Sequence, residues 1–199
     1  AVAIGTGNRT HPLDTYTNDM FFVFQDRNVV TQSFSSTEAP ATLVLTDLYD
    51  VTSAAPTSQA QNIVFGNKRG WYYDFTLAGE KSLSSSLIFD GKVYFTSFVP
   101  PAGGTIDYDL GVCDLSGEGR LYVLDLHKGT RTYSDLYYEL GERVPDTPQI
   151  VIPKADTGND TIAYIIGVGK GDCVGNDCKG TVVLGSGLTT NRIYYHIEE

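Results

Sequence analysis

Short segments of apolar and aromatic residues recur along this chain, each closed off by Gly, Pro, Asn, Asp or Ser, and the stretches between them carry no convincing helical period. The clearest are VAIGTG, MFFVFQD, ATLVLTDLYDV, GWYYDFTL, SSLIFDGKVYFTSF, GRLYVLDL, TPQIVIP, TIAYIIGVG, TVVLGSG and RIYYHIEE. A series of strands this short and this closely spaced points to a sandwich, a barrel or a propeller. Composition agrees, since 13 Tyr and 21 Gly together with many Thr and Val suit pleated sheet and turns. The expected fold class is all-β, and the length requires no second domain.

Two local patterns favour the propeller. GKVYFTSF and GRLYVLDL each follow a turn glycine with a basic residue and an apolar strand, like one unit repeated. VAIGTG with NDMFFVFQD near the start resembles VVLGSG with NRIYYHIEE near the end. A blade takes roughly 40–50 residues, so the chain holds about four, and because VAIGTG starts with no preceding partner the propeller is expected to be incomplete. Within GEGRLYVLDLHKGTRTY, Leu121, Val123 and Asp125 alternate with Tyr122, Leu124 and Leu126, and Gly129 supplies a turn residue that accepts positive φ. That stretch is expected to form two outer strands of one blade. SFSSTEAPA and TSAAPTSQAQN read as low-complexity loops, and VPPAGGTIDYDLGVCDLSGEG as the largest surface insertion.

Charge narrows the partners. A formal net charge of −10, with no run of Lys and Arg, argues against nucleic acid. No 18-residue apolar run exists to span a bilayer, and AVAIGTGNRT lacks the features of a signal peptide. Because the chain starts without Met, a mature or truncated product is expected. Cys173 and Cys178 lie in the polar loop GKGDCVGNDCKG, where a disulfide is the expected pairing in an oxidising compartment. Cys113 is then left over, free or paired with chain not present in this sequence, and a zinc site is the poorer reading of the three cysteines.

The blocks AIGTGNRTHPLDTYTNDMFFVFQDRNV, LTDLYDVT, KRGWYYDFTLAGEKSLSSSLIFDGKVYFTSFVPP and CDLSGEGRLYVLDLHKGT, in that order, resemble the C-terminal propeller of the PilY family of type IV pilus tip and assembly proteins. The resemblance extends from Ala3 to about Ile197 and makes residues 1–199 a C-terminal β-propeller portion. It implies a non-enzymatic adhesin on the bacterial surface, exported through the periplasm, that sits on minor pilins at the pilus tip and promotes pilus extension. The chain departs from the family in lacking an N-terminal von Willebrand A-like region, the first blades and the alternating-Asp calcium loop, so calcium control of retraction transfers to no residue here.

Individual motifs carry less. Asp156, Asn159 and Asp160 form a candidate calcium loop, and Asp107, Asp109 and Asp114 a second acidic loop; neither has the full coordinating spacing, and Asx turns explain both. GTGNRT lacks the third glycine and the helix of a dinucleotide site, so its glycines are expected to allow close strand approach. His11, His127 and His196 are scattered, and Ser186 in LGSGL has no helix after it, which argues against a hydrolase. Arg69, Trp71 and Tyr72 in KRGWYYDF are candidates for binding a partner or a ligand, against the reading in which Trp71 and Tyr73 pack on one face and Tyr72 lies on the other. A lectin-like or other ligand-binding extracellular propeller is the alternative function.

Overall fold

The computed structural model describes residues 1–26, 41–101 and 117–151, and the backbone of the strands at 106–107, 112–113, 162–166, 173–174, 177–178 and 182–186. In chain order the elements are β1 (Val2–Gly5), β2 (Met20–Phe24), β3 (Tyr49–Asp50), α1 (Gln59–Gly66), β4 (Gly70–Asp74), β5 (Leu87–Phe89), β6 (Lys92–Val99), β7 (Ile106–Asp107), β8 (Val112–Cys113), β9 (Glu118–Asp125), β10 (Tyr137–Gly141), β11 (Gln149–Val151), β12 (Ile162–Ile166), β13 (Cys173–Val174), β14 (Asp177–Cys178) and β15 (Val182–Ser186). The protein is mostly β. A first sheet has the order β1-β2-β4-β3, a second β10-β9-β6-β5 and a third β11-β12-β15, with β7-β8 and β13-β14 as two-stranded pairs. Among the described strands all pairings are antiparallel except that of β3 with β4.

The second sheet is a meander, and its turns are legible. Asp90 and Gly91 both take positive φ between β5 and β6, where a two-residue loop needs that twist. Gly129 also takes positive φ, as its sequence position implies, in a turn where the Asp125 carboxylate accepts from the backbone N–H groups of His127 and Lys128.

The main core lies between the first and second sheets. Phe21, Val23, Trp71 and Tyr73 meet Val93, Phe95, Tyr122 and Leu124, all buried. The ring of Phe95 stacks on Phe21 with centroids 3.7 Å apart and on Tyr122 at 4.9 Å. A second cluster, Tyr94, Leu121, Val123 and Leu140, fills the opposite face of the second sheet, with Ile150 of β11 packed against it. Both faces of β6 and β9 are therefore covered, which explains their near-continuous apolar runs in place of a clean alternation.

Three expectations are corrected here. Gly117–Tyr133 does not form two outer strands: β9 is an internal strand between β6 and β10, and after Gly129 the chain makes only an isolated bridge, Leu124 with Arg131, before β10 starts at Tyr137. GKVYFTSF and GRLYVLDL are not equivalent units of a repeat but antiparallel neighbours, Lys92 opposite Asp125 and Val99 opposite Glu118. The loop TSAAPTSQAQN runs into α1, started by a capping box in which Ser58 Oγ accepts from Gln61 N–H and Gln61 Oε1 accepts from Ser58 N–H. The helix docks through Phe65, whose ring meets Tyr49 edge-on at 5.3 Å.

Candidate functional site

A groove of 460 Å³ is lined by β1, by Gly7 and Arg9 after it, by Ser82–Ser86 ahead of β5 and by Thr147 ahead of β11. A loop between β1 and β2 is anchored over it. Lys81, fully buried, donates to the carbonyls of Pro12 and Asp14, and Thr6 Oγ1 donates to Asp19 Oδ1 at 2.8 Å. Arg9 Nη1 donates to the Leu83 carbonyl at 3.1 Å. Ser82 N–H donates to the Thr6 carbonyl and Ser86 Oγ to the Ala3 carbonyl, tying the serine segment to the open edge of β1. The close approach expected of the GTGNRT glycines is present: a Cβ at Gly5 would overlap Ser82, and one at Gly7 would press on Lys81 and the Ser82 carbonyl.

Just ahead of the serine segment in the chain, Glu80 joins a buried charge cluster. The Glu80 carboxylate accepts from Ser97 Oγ at 2.6 Å and from the Tyr122 hydroxyl at 2.7 Å, and Arg120 Nη1 reaches its other oxygen at 3.4 Å. Arg120 also donates to Glu118 at 2.7 Å and lies 4.0 Å above the Tyr137 ring. Sequence reasoning missed this cluster because Glu80 and Arg120 are 40 residues apart and show no local spacing.

Burial pushes the Tyr122 phenol well above its ordinary range, and the neighbouring Glu80 charge pushes it further. Burial first and Glu80 second also raise Tyr73, and burial raises Tyr94. A phenol whose folded pKa exceeds its unfolded value of about 10 stabilises the fold below that pH, and the contribution falls as pH rises toward the folded value. Tyrosinate absorbance in an alkaline titration is therefore expected to rise partly in one cooperative step coincident with loss of circular dichroism. A smooth, complete titration of all phenols with the fold intact would contradict it.

The candidates read from sequence fall in separate places. Trp71 is corrected as a contact residue: it is 0% exposed, with its indole N–H donating to the Leu126 carbonyl at 3.0 Å between the first two sheets. Tyr73 shares its side of β4, and Tyr72 lies on the opposite face beside Phe22, as the alternation requires. Arg69 is half-buried just ahead of β4, its carbonyl accepting from Gln25 N–H. Asp156, Asn159 and Asp160 lie outside the described residues, as do Asp109, Asp114 and His196. Among the described residues no group of three or more His, Cys, Asp or Glu is placed to hold a metal ion, and no helix is long and apolar enough to cross a membrane. The backbone pairs Cys173 with Cys178 across β13 and β14, and Cys113 with Ile106 across β8 and β7. Lys92, distant in sequence from Lys128 and Arg131, meets them around one hollow at the turn end of the second sheet, interspersed with Asp90 and Asp125. Comparison with known proteins finds no matching family model, no matching curated protein and no matching solved structure.

Proposed function

We propose that this chain is a portion of a PilY-like β-propeller, a non-enzymatic pilus-tip protein of the bacterial surface that docks on minor pilins and acts in adhesion and pilus extension. The observation that carries the reading is the second sheet, a four-stranded meander in chain order with other strands packed on both faces, as a blade within a stack would be. The outer face of the first sheet supports incompleteness: Val2 and Ile4 are 61% and 53% exposed there, beside stacked Phe22 and Phe24. A further blade would bury such a face. Strand-edge pairing and surface complementarity would join the rigid sheets to the pilins. The Cys173–Cys178 register is one that a disulfide bridges, consistent with an oxidising compartment on the export route.

Immobilised protein is expected to capture purified minor pilins, and recovery of none of them would reject the docking. Thiol alkylation without reductant should leave Cys173 and Cys178 unlabelled; labelling of both would exclude the disulfide. A second reading, an extracellular ligand-binding propeller, is favoured by the polar groove along β1.

A further inference from the structure

We infer that the groove along β1 binds a saccharide bearing a single carboxylate. This deepens the ligand-binding reading and does not depend on pilin docking.

Its lining is unlike an apolar pocket. Among the described residues that line it, the polar side chains are those of Ser82, Ser84, Ser85, Ser86, Thr147 and Arg9, and none is acidic. Ser86 commits its proton to the Ala3 carbonyl, which leaves its lone pairs for a ligand O–H. Ser84 pairs with Thr96, and its hydroxyl also reaches the Asp146 carbonyl at 3.4 Å. Ser82 is 6% exposed, and its Oγ has no hydrogen-bond partner among the described residues. This hydroxyl is closed off from solvent against Gly5, and turning it into the groove to meet a ligand oxygen would supply the partner it lacks. A row of hydroxyls that both donate and accept matches the vicinal hydroxyls of a sugar, and 460 Å³ lies in the range of small-ligand pockets.

Arg9 supplies the charge selection. Its Nη1 is fixed on the Leu83 carbonyl, while its Nη2 is 3.7 Å from Asp146 Oδ1, too long for a hydrogen bond. Both side chains are largely exposed, so this pair is weak and screened, and a ligand carboxylate can take Asp146's place. One guanidinium in a chain of net charge −10 suits a monocarboxylate better than a phosphate or a polyanion.

Calorimetric titration of the full chain with galacturonic acid, galactose and acetate tests this. Galacturonate is expected to bind about tenfold or more tightly than either galactose or acetate, since each of those lacks one set of charge-assisted or hydroxyl contacts. Arg9→Gln should weaken galacturonate about tenfold and leave galactose unchanged. Ser82→Ala should weaken both sugars. Asp146→Asn should tighten galacturonate by removing the competing carboxylate, a gain that a purely structural Arg9–Asp146 pair would not produce. Arg9 and Asp146 are surface residues, and unchanged melting curves of their variants would separate binding from folding. Galactose binding as tightly as galacturonate would overturn the inference while leaving a ligand-binding groove, and acetate binding as tightly would reduce it to an anion site. Binding of none of the three, or affinity unmoved by Arg9→Gln, would overturn the inference outright.

Discussion

Glu80→Ala is expected to lower the unfolding free energy by about 3–5 kcal/mol, because it strips one partner from a buried ion pair. The side chains of Glu80 and Arg120 are 1% and 9% exposed, so water cannot replace what is removed. Without the carboxylate, the Ser97 and Tyr122 hydroxyls lose their acceptor. Among the described residues Arg120 keeps Glu118 as its carboxylate partner, and the face of Tyr137. Glu80→Gln retains the shape and an acceptor and should cost less, about 1.5–3 kcal/mol for hydrogen bonds that lose their charged member. Combining Glu80→Ala with Tyr122→Phe should cost less than the sum of the two, since both break one bond. Urea unfolding followed by fluorescence checks these variants, with Tyr122→Phe alone measured to complete the cycle. A loss below about 1 kcal/mol for Glu80→Ala, the range of exposed pairs, would mean that the cluster is hydrated and does not tie the β4–β5 connection to β6 and β9.

Trp71→Ala is expected to cost about 3–5 kcal/mol, because a large ring is deleted from a site enclosed by two sheets that cannot both collapse into the space. Its indole packs 6.2 Å from Phe21 between ring centroids, and its N–H holds the Leu126 carbonyl of the turn after β9. Trp71→Phe keeps much of the apolar contact but orphans that carbonyl, for about 1–3 kcal/mol. As the sole tryptophan, Trp71 reports on itself: native emission should be blue-shifted and should move to the red on unfolding. Native emission typical of a hydrated indole would show that the ring is at the surface, and would restore it as a ligand contact. The alanine variant, which lacks this probe, is followed by circular dichroism.

Local pattern made much of the sheet legible. Alternation in GWYYDF put Trp71 and Tyr73 on one side and Tyr72 on the other, and the pairing of β4 with β2 keeps that division. The turn at Gly129 and the hairpin through Asp90–Gly91 follow from residues that accept positive φ, a property of single positions that needs no tertiary information. The capping box that starts α1 was also present in the sequence, as Ser58 and Gln61, but lay hidden in a low-complexity stretch whose composition suggested a loop.

The chain's own residues thus determined much of the strand content and the turns at Asp90–Gly91 and Gly129, because a side chain's preference for pleated backbone and a glycine's tolerance of positive φ act within a few bonds. ATLVLTDLYDV, however, forms a strand only at Tyr49–Asp50 and turns as a 3-10 helix at Leu45–Asp47. Which strands become neighbours was decided only in three dimensions. GKVYFTSF and GRLYVLDL look like corresponding members of a repeat, yet they lie side by side in one sheet, since pairing depends on burial of both faces and not on similarity. The meeting of Glu80 with Arg120, and of Arg9 with Asp146 at the rim of the serine groove, likewise joins residues that no sequence spacing links. Such contacts arise from how sheets stack and connections fold over their edges, and the free energy that selects this stacking comes from the apolar area buried by the whole assembly of strands.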